Sequence, residues 1–154
     1  PVLNLKEDNF QIKAPSTDSL SFLEDNGIKD ENLTLTGAWL QCVVDKEIHL
    51  ISGSLKIFRE DGSFSIYQSS TGKEWTNGTI DSLTHDSYIE NVAEQTGSAF
   101  AGKSVPIKYT IEKMNSNIIL KAQYYHSATG RWIPEDYVKI PDAEAEKIIN
   151  KGNK

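Results

Sequence analysis

The chain has 154 residues, with 16 Lys plus Arg against 22 Asp plus Glu, a formal net charge of −6. That length predicts one domain, and the acidic balance excludes the clustered cations that nucleic-acid binding or a polybasic membrane anchor requires. Hydrophobic residues make up 38%, which argues against disorder, and no run approaches the roughly 20 apolar residues of a membrane-spanning helix, so no integral membrane protein is expected.

Residues 1–34 read as an N-terminal arm or leader. Within it Ser16 to Asn26 suggests a short helix, with Ser16 or Thr17 as cap, Asp18 in the first turn, Leu20 and Leu23 on one face and Gly27 as stop. The chain opens on Pro1 rather than Met, which is read as an end left by removal of a preceding segment. From Thr36 to Ile140 the pattern changes to short alternating runs broken by turn residues, the mark of antiparallel β-structure. Eight strands are expected, at about 37–45, 53–60, 63–70, 74–81, 87–94, 105–113, 118–126 and 131–140. Between the second and third, Asp61-Gly62 predicts a two-residue type I′ hairpin, whose central residues both need positive φ. The one long connection is the Gly- and Ala-rich stretch from Gln95 to Ser104. Short connections favour an eight-stranded up-and-down barrel over 35–140, since a two-sheet sandwich needs long crossovers. Residues 141–154 supply a short helix and tail. Asp142 is its expected cap, Ala145, Ile148 and Ile149 form an apolar stripe for the barrel wall, and Gly152 ends it.

The one cysteine, Cys42, lies mid-strand between apolar neighbours and reads as inert packing. His49, His85 and His126 show no metal-ligand spacing, and neither a nucleophile elbow nor a phosphate-cradling glycine loop is present. No cofactor or metal is therefore expected.

Gly37-Ala38-Trp39 opens the first strand, and the last strand carries Trp132 to Lys139. This resembles the lipocalin and calycin barrels, in which a first-strand Trp closes the base and a basic residue of the last strand lies over it. The resemblance implies that Trp39 and Lys139 form that pair. A narrower likeness rests on an ordered set of motifs. These are Leu35-Thr36-Gly37-x-Trp39, Leu55-Lys56-Ile57-Phe58 followed by Asp61-Gly62-x-Phe64, Gly78-Thr79, Ser87-Tyr88-x-Glu90, Ile107-Lys108-Tyr109-x-Ile111 and Trp132-x-x-Glu135. Together they resemble the lipocalin-like domain-of-unknown-function family of Bacteroides-type bacteria, over roughly 33–140. That likeness implies an eight-stranded barrel and an exported protein, periplasmic or at the cell surface, whose signal peptide or lipoprotein leader has been removed. It implies no activity.

Alternation assigns an interior. Trp39, Gln41, Val43, Leu55, Ile57, Phe64, Ile66, Ile80, Ile107, Tyr109, Ile111, Leu120, Ala122 and Tyr124 are expected inward, together with Tyr88, Glu90, Glu135 and Tyr137. Eight strands enclose either a filled core or room for one small ligand. Aromatic walls with a few placed polar groups suit a small hydrophobic or amphipathic ligand. In the competing reading the Tyr hydroxyls and Gln41 satisfy one another, Glu90 and Glu135 pair with Lys139 or Arg59, and a filled barrel meets a protein partner through an exposed Trp75 and Tyr125. A third reading, a calycin-type enzyme in which Glu90 and Glu135 act as an acid–base pair, ranks below both.

Overall fold

Period-two alternation puts one face of each strand against a core and the other toward water or a covering layer. In the computed structural model, which describes residues 34–95 and 100–153, this yields β1 (Gly37–Val44), β2 (Ile48–Phe58), β3 (Ser63–Gln68), β4 (Glu74–Asp81), β5 (Ser87–Gln95), β6 (Ser104–Met114), β7 (Asn117–His126) and β8 (Arg131–Ile140). Each pairs antiparallel with the next, and β1 also pairs with β8, so the sheet closes into an up-and-down barrel. Closure leaves the sheet without an edge strand. The expected helix near 16–26, with the rest of 1–33, lies outside the described residues, as do Gly97, Ser98 and Ala99.

Two local departures from the sequence reading set the site. First, β2 begins at Ile48, because a tight turn at Asp45–Glu47, where the Asp45 carboxylate accepts the Glu47 N–H at 2.9 Å, lets the β1–β2 ribbon run longer. Val43 pairs with His49 in this extension and is 49% exposed, so it does not join the interior. Second, the hairpin after β2 is not type I′. Gly62 adopts φ +89°, whereas Asp61 is not among the residues of positive φ. Arg59 accepts from Gly62 N–H at 3.0 Å and donates to Ser63 C=O at 2.9 Å, leaving Glu60-Asp61-Gly62 as a three-residue loop. Such loops combine a type I turn with a left-handed residue, a position suited to glycine. The Asp61 side chain reinforces it by accepting Ser63 N–H at 2.8 Å.

One extra loop residue changes the parity of the pairing. A two-residue turn would set Ile57 opposite Ile66; the observed register sets Phe58 opposite Phe64 and Lys56 opposite Ile66. A one-residue shift moves every side chain to the other face. Leu55 and Ile57, expected inward, therefore lie on the outside, and Lys56 and Phe58 lie within.

The chain consequently builds two cores. The inner one holds Trp39, Phe58, Phe64, Ile66, Tyr88, Val92, Val105, Ile107, Leu120, Ala122 and Tyr137, closed by Leu35. The outer one joins Ala38, Leu40, Cys42, Leu55, Ile119, Val138 and Ile140 to Ala145 and Ile148 of α1 (Asp142–Asn150). Helix α1 thus covers the apolar outer face of β1, β2 and β8. Its N-cap is Pro141, not the expected Asp142: the Pro141 carbonyl accepts the Glu144 and Ala145 N–H groups, and Asp142 sits in the first turn, where it favours the helix dipole. A 3-10 turn (Lys151–Asn153) ends the described chain. Cys42 is buried in the outer core, and its thiol is pushed up to about 12 by burial and then by the Asp136 charge, which keeps it protonated and inert.

Candidate functional site

Gly37 adopts φ +128°, and a Cβ there would crowd Cε and Nζ of Lys139. Its absence lets Lys139 lie along the barrel base. The Lys139 ammonium is 5.4 Å from the centroid of the Trp39 ring and donates to the Thr36 carbonyl at 3.1 Å. The Trp39 indole N–H donates to the Leu35 carbonyl at 2.7 Å, so the segment entering β1 is tied beneath the ring. Burial lowers the Lys139 pKa, while Asp142 partly restores it. These bonds close one end of the barrel.

Above that base the lumen carries charge. Lys56 reaches from β2 across to β5 and donates to a carboxylate oxygen of Glu90; both side chains are buried. The same oxygen accepts the Tyr88 hydroxyl at 2.9 Å. The Lys56 ammonium also lies 5.2 Å from the Phe58 ring centroid, 5.5 Å from Phe64 and 6.0 Å from Tyr137, within the range of cation–π attraction. On β8, Glu135 accepts the Tyr137 hydroxyl at 2.9 Å. Alternation puts Glu135 and Tyr137 on the inner face, with Ala122 and Leu120 opposite them on β7.

Electrostatics divides these groups. Burial raises the Glu135 pKa first; the Lys56 charge and the Tyr137 hydrogen bond pull it back, and Glu90 pushes it up again. Tyr88 and Tyr137 are driven well above the ordinary phenol value, by burial and then by the carboxylates they face. Both remain neutral donors. Among the described residues, this part of the inner face holds two carboxyl groups, Glu90 and Glu135, and one ammonium, Lys56. Lys56 faces Glu90 directly, while Tyr137 is the hydrogen-bond partner of Glu135 among the described residues.

Burial is uneven along this wall. Tyr88, Glu90 and Tyr137 are buried, whereas Glu135, Ile133 and Tyr124 remain partly accessible to water. Ile133 pairs with Tyr124 across β7–β8, one step nearer the Ala128-Thr129-Gly130 turn than Glu135. Phe100 stands edge-on to Tyr124 at 5.9 Å and to His126 at 6.0 Å, at the same end. The Glu135 side of the lumen is thus the wetter side, and aromatic rings flank it.

The candidate residues occupy different parts of the wall. Trp39, Phe64, Ile66, Ile80, Tyr88, Glu90, Tyr109, Tyr124, Glu135 and Tyr137 line or pack against the inner core. Gln41 lies at the β1 irregularity, where its Oε1 accepts the Ser54 backbone N–H at 3.0 Å, a structural use of that oxygen. Leu55 and Ile57 belong to the outer core. Arg59 does not meet the inner carboxylates; it donates to Ser65 at 3.0 Å. Trp75 and Tyr125, expected exposed, are half-buried, Trp75 against the inner core and Tyr125 5.3 Å from the Trp132 ring.

Lys56 is an inner residue that alternation does not identify. Its signal was the Phe58–Phe64 pair: two aromatic residues flanking the hairpin meet on one face only in the three-residue register, and that register carries Lys56 inward.

A domain of unknown function, DUF4488, matches residues 34–147, and the chain belongs to that family. No curated protein matches it.

Proposed function

We propose that this DUF4488 member is a lipocalin-like binding protein of the bacterial cell envelope that holds one small, mostly apolar ligand inside its barrel. The observation that carries the reading is the charged network in the lumen. Burying an ion pair costs more than filling the same volume with hydrocarbon in many folds, so such groups make weak contributions to stability. Set among Phe58, Phe64, Tyr124 and Tyr137, they match the composition of a ligand pocket: apolar walls and a few fixed polar handles. The partly accessible Tyr124, Ile133 and Glu135 supply the approach. The envelope location rests on the motif order that resembles exported barrels.

The test is titration of the full chain with N-phenyl-1-naphthylamine, a neutral probe whose emission rises in apolar surroundings. The reading predicts a saturable rise at one probe per chain, abolished in Ala122→Phe, which fills the inner wall. No saturable rise in the wild type contradicts it. Native mass spectrometry before and after solvent extraction then identifies any natural occupant, and fractionation of the source cells checks the location.

A further inference from the structure

The interior reading leaves the polar end of the ligand unspecified. Three observations specify it. Among the described residues, the lumen carries Glu90 and Glu135 against Lys56, two carboxyl groups for one ammonium. Lys56 is ion-paired with Glu90, whereas Glu135, which feels the Lys56 charge, has a phenol as its hydrogen-bond partner and no ion pair of its own among the described residues. Glu135 also occupies the water-accessible part of the wall, diagonal to Tyr124, with Phe100 beyond.

A carboxylate beside aromatic faces is the chemistry that receives an organic cation. The carboxylate supplies the counter-charge and hydrogen-bond acceptors, and the ring faces attract the cation through their quadrupoles. An anionic head would meet the Glu135 carboxyl group instead. It could gain from Lys56 only by displacing Glu90 and leaving another buried carboxylate unpaired. We infer that the ligand is an amphipathic amine whose ammonium head sits on Glu135 beside Tyr124 and whose apolar body lies along the inner wall. This rests on the barrel-binding reading and adds the class of ligand to it.

The experiment displaces bound N-phenyl-1-naphthylamine from the full chain with n-octylammonium, 1-octanol and octanoate at neutral pH. The three share one tail and differ in the head. The expected order is octylammonium first, by about ten-fold or more over 1-octanol, as a charge-assisted hydrogen bond commands, with octanoate weakest. Glu135→Gln should bring octylammonium to the level of 1-octanol and leave 1-octanol unchanged. The wild-type ranking decides the matter even where the variant fails to fold. If the probe binds and octylammonium is no better than 1-octanol, the cation assignment is overturned while the barrel-binding reading stands. If the probe does not bind at all, the barrel-binding reading falls and the assignment with it.

Discussion

The two cores of this barrel obey different rules. The outer core, between α1 and the backs of β1, β2 and β8, is largely aliphatic: Leu40, Leu55, Ile119, Val138 and Ile140 meet Ala145 and Ile148, and its buried cysteine is a protonated thiol. The inner core is larger in its side chains and mixed in its chemistry, with Phe58, Phe64 and Tyr88 packed around an ion pair and a second carboxyl group. Burial alone does not separate them, since Leu55 and Trp39 are equally enclosed. The difference lies in cost. Hydrocarbon burial stabilises at roughly 25 cal/mol per Å², whereas each buried charge must recover its hydration from a partner. The outer core thus holds its part of the wall largely by hydrocarbon, whereas the inner core combines a larger apolar cluster with charges whose net contribution to stability is small.

Substitutions can break that contrast. Lys56→Met has the largest expected effect. It leaves Glu90 and Glu135 in the lumen without their cation, and the loss of one partner of a buried pair costs about 3–5 kcal/mol, read as a lower urea midpoint. Leu55→Ala follows. Removing a fully buried outer-core side chain costs about 2–5 kcal/mol by lost transfer energy and the cavity left behind, yet probe binding in the lumen should be unchanged. A Leu55→Ala protein that keeps its stability would show that the outer core does not hold the barrel. Gly62→Ala forces a Cβ onto the left-handed loop residue at φ +89°, at about 1–2 kcal/mol. It tests the turn that sets the face of every β2 side chain.

The smallest effect carries the sharpest sign. The Glu135 pKa is raised in the folded protein above its ordinary value of 4.5. The native state then binds that proton more tightly than the unfolded chain does. The carboxyl's favourable contribution is complete below pH 4.5 and is lost as pH rises through the folded value. At neutral pH the group opposes folding, so Glu135→Gln should raise the urea midpoint there, and the gain should shrink as pH falls toward 4.5. A neutral-pH loss in this variant would make Glu135 a stabilising group.

Much of the fold is legible in the residues. Alternation and turn chemistry mark all eight strands, and the Ala145-Ile148-Ile149 stripe marks the helix. The inner carboxylates are legible too, because Tyr88-x-Glu90 and Glu135-x-Tyr137 each keep one parity through an unbroken strand. The facing of β2 is not. Both its faces are apolar, and Asp61-Gly62 suits a two-residue loop and a three-residue loop alike, so local chemistry leaves the register undecided. Tertiary demand decides it: α1 needs an aliphatic landing surface, and Leu55 with Leu40 and Val138 provides one. Lys56 goes inward as a consequence, and with it the central group of the site.

The most direct test of the contrast replaces the whole inner network at once, as Lys56→Met, Tyr88→Phe, Glu90→Leu, Glu135→Leu and Tyr137→Phe in one protein, and measures its urea midpoint against the wild type. Removing every partner together leaves no orphaned donor or acceptor. The account predicts a folded barrel with a midpoint at or above the wild-type value. A midpoint well below it, or a chain that no longer folds, would contradict the proposal that the inner charges serve binding rather than stability.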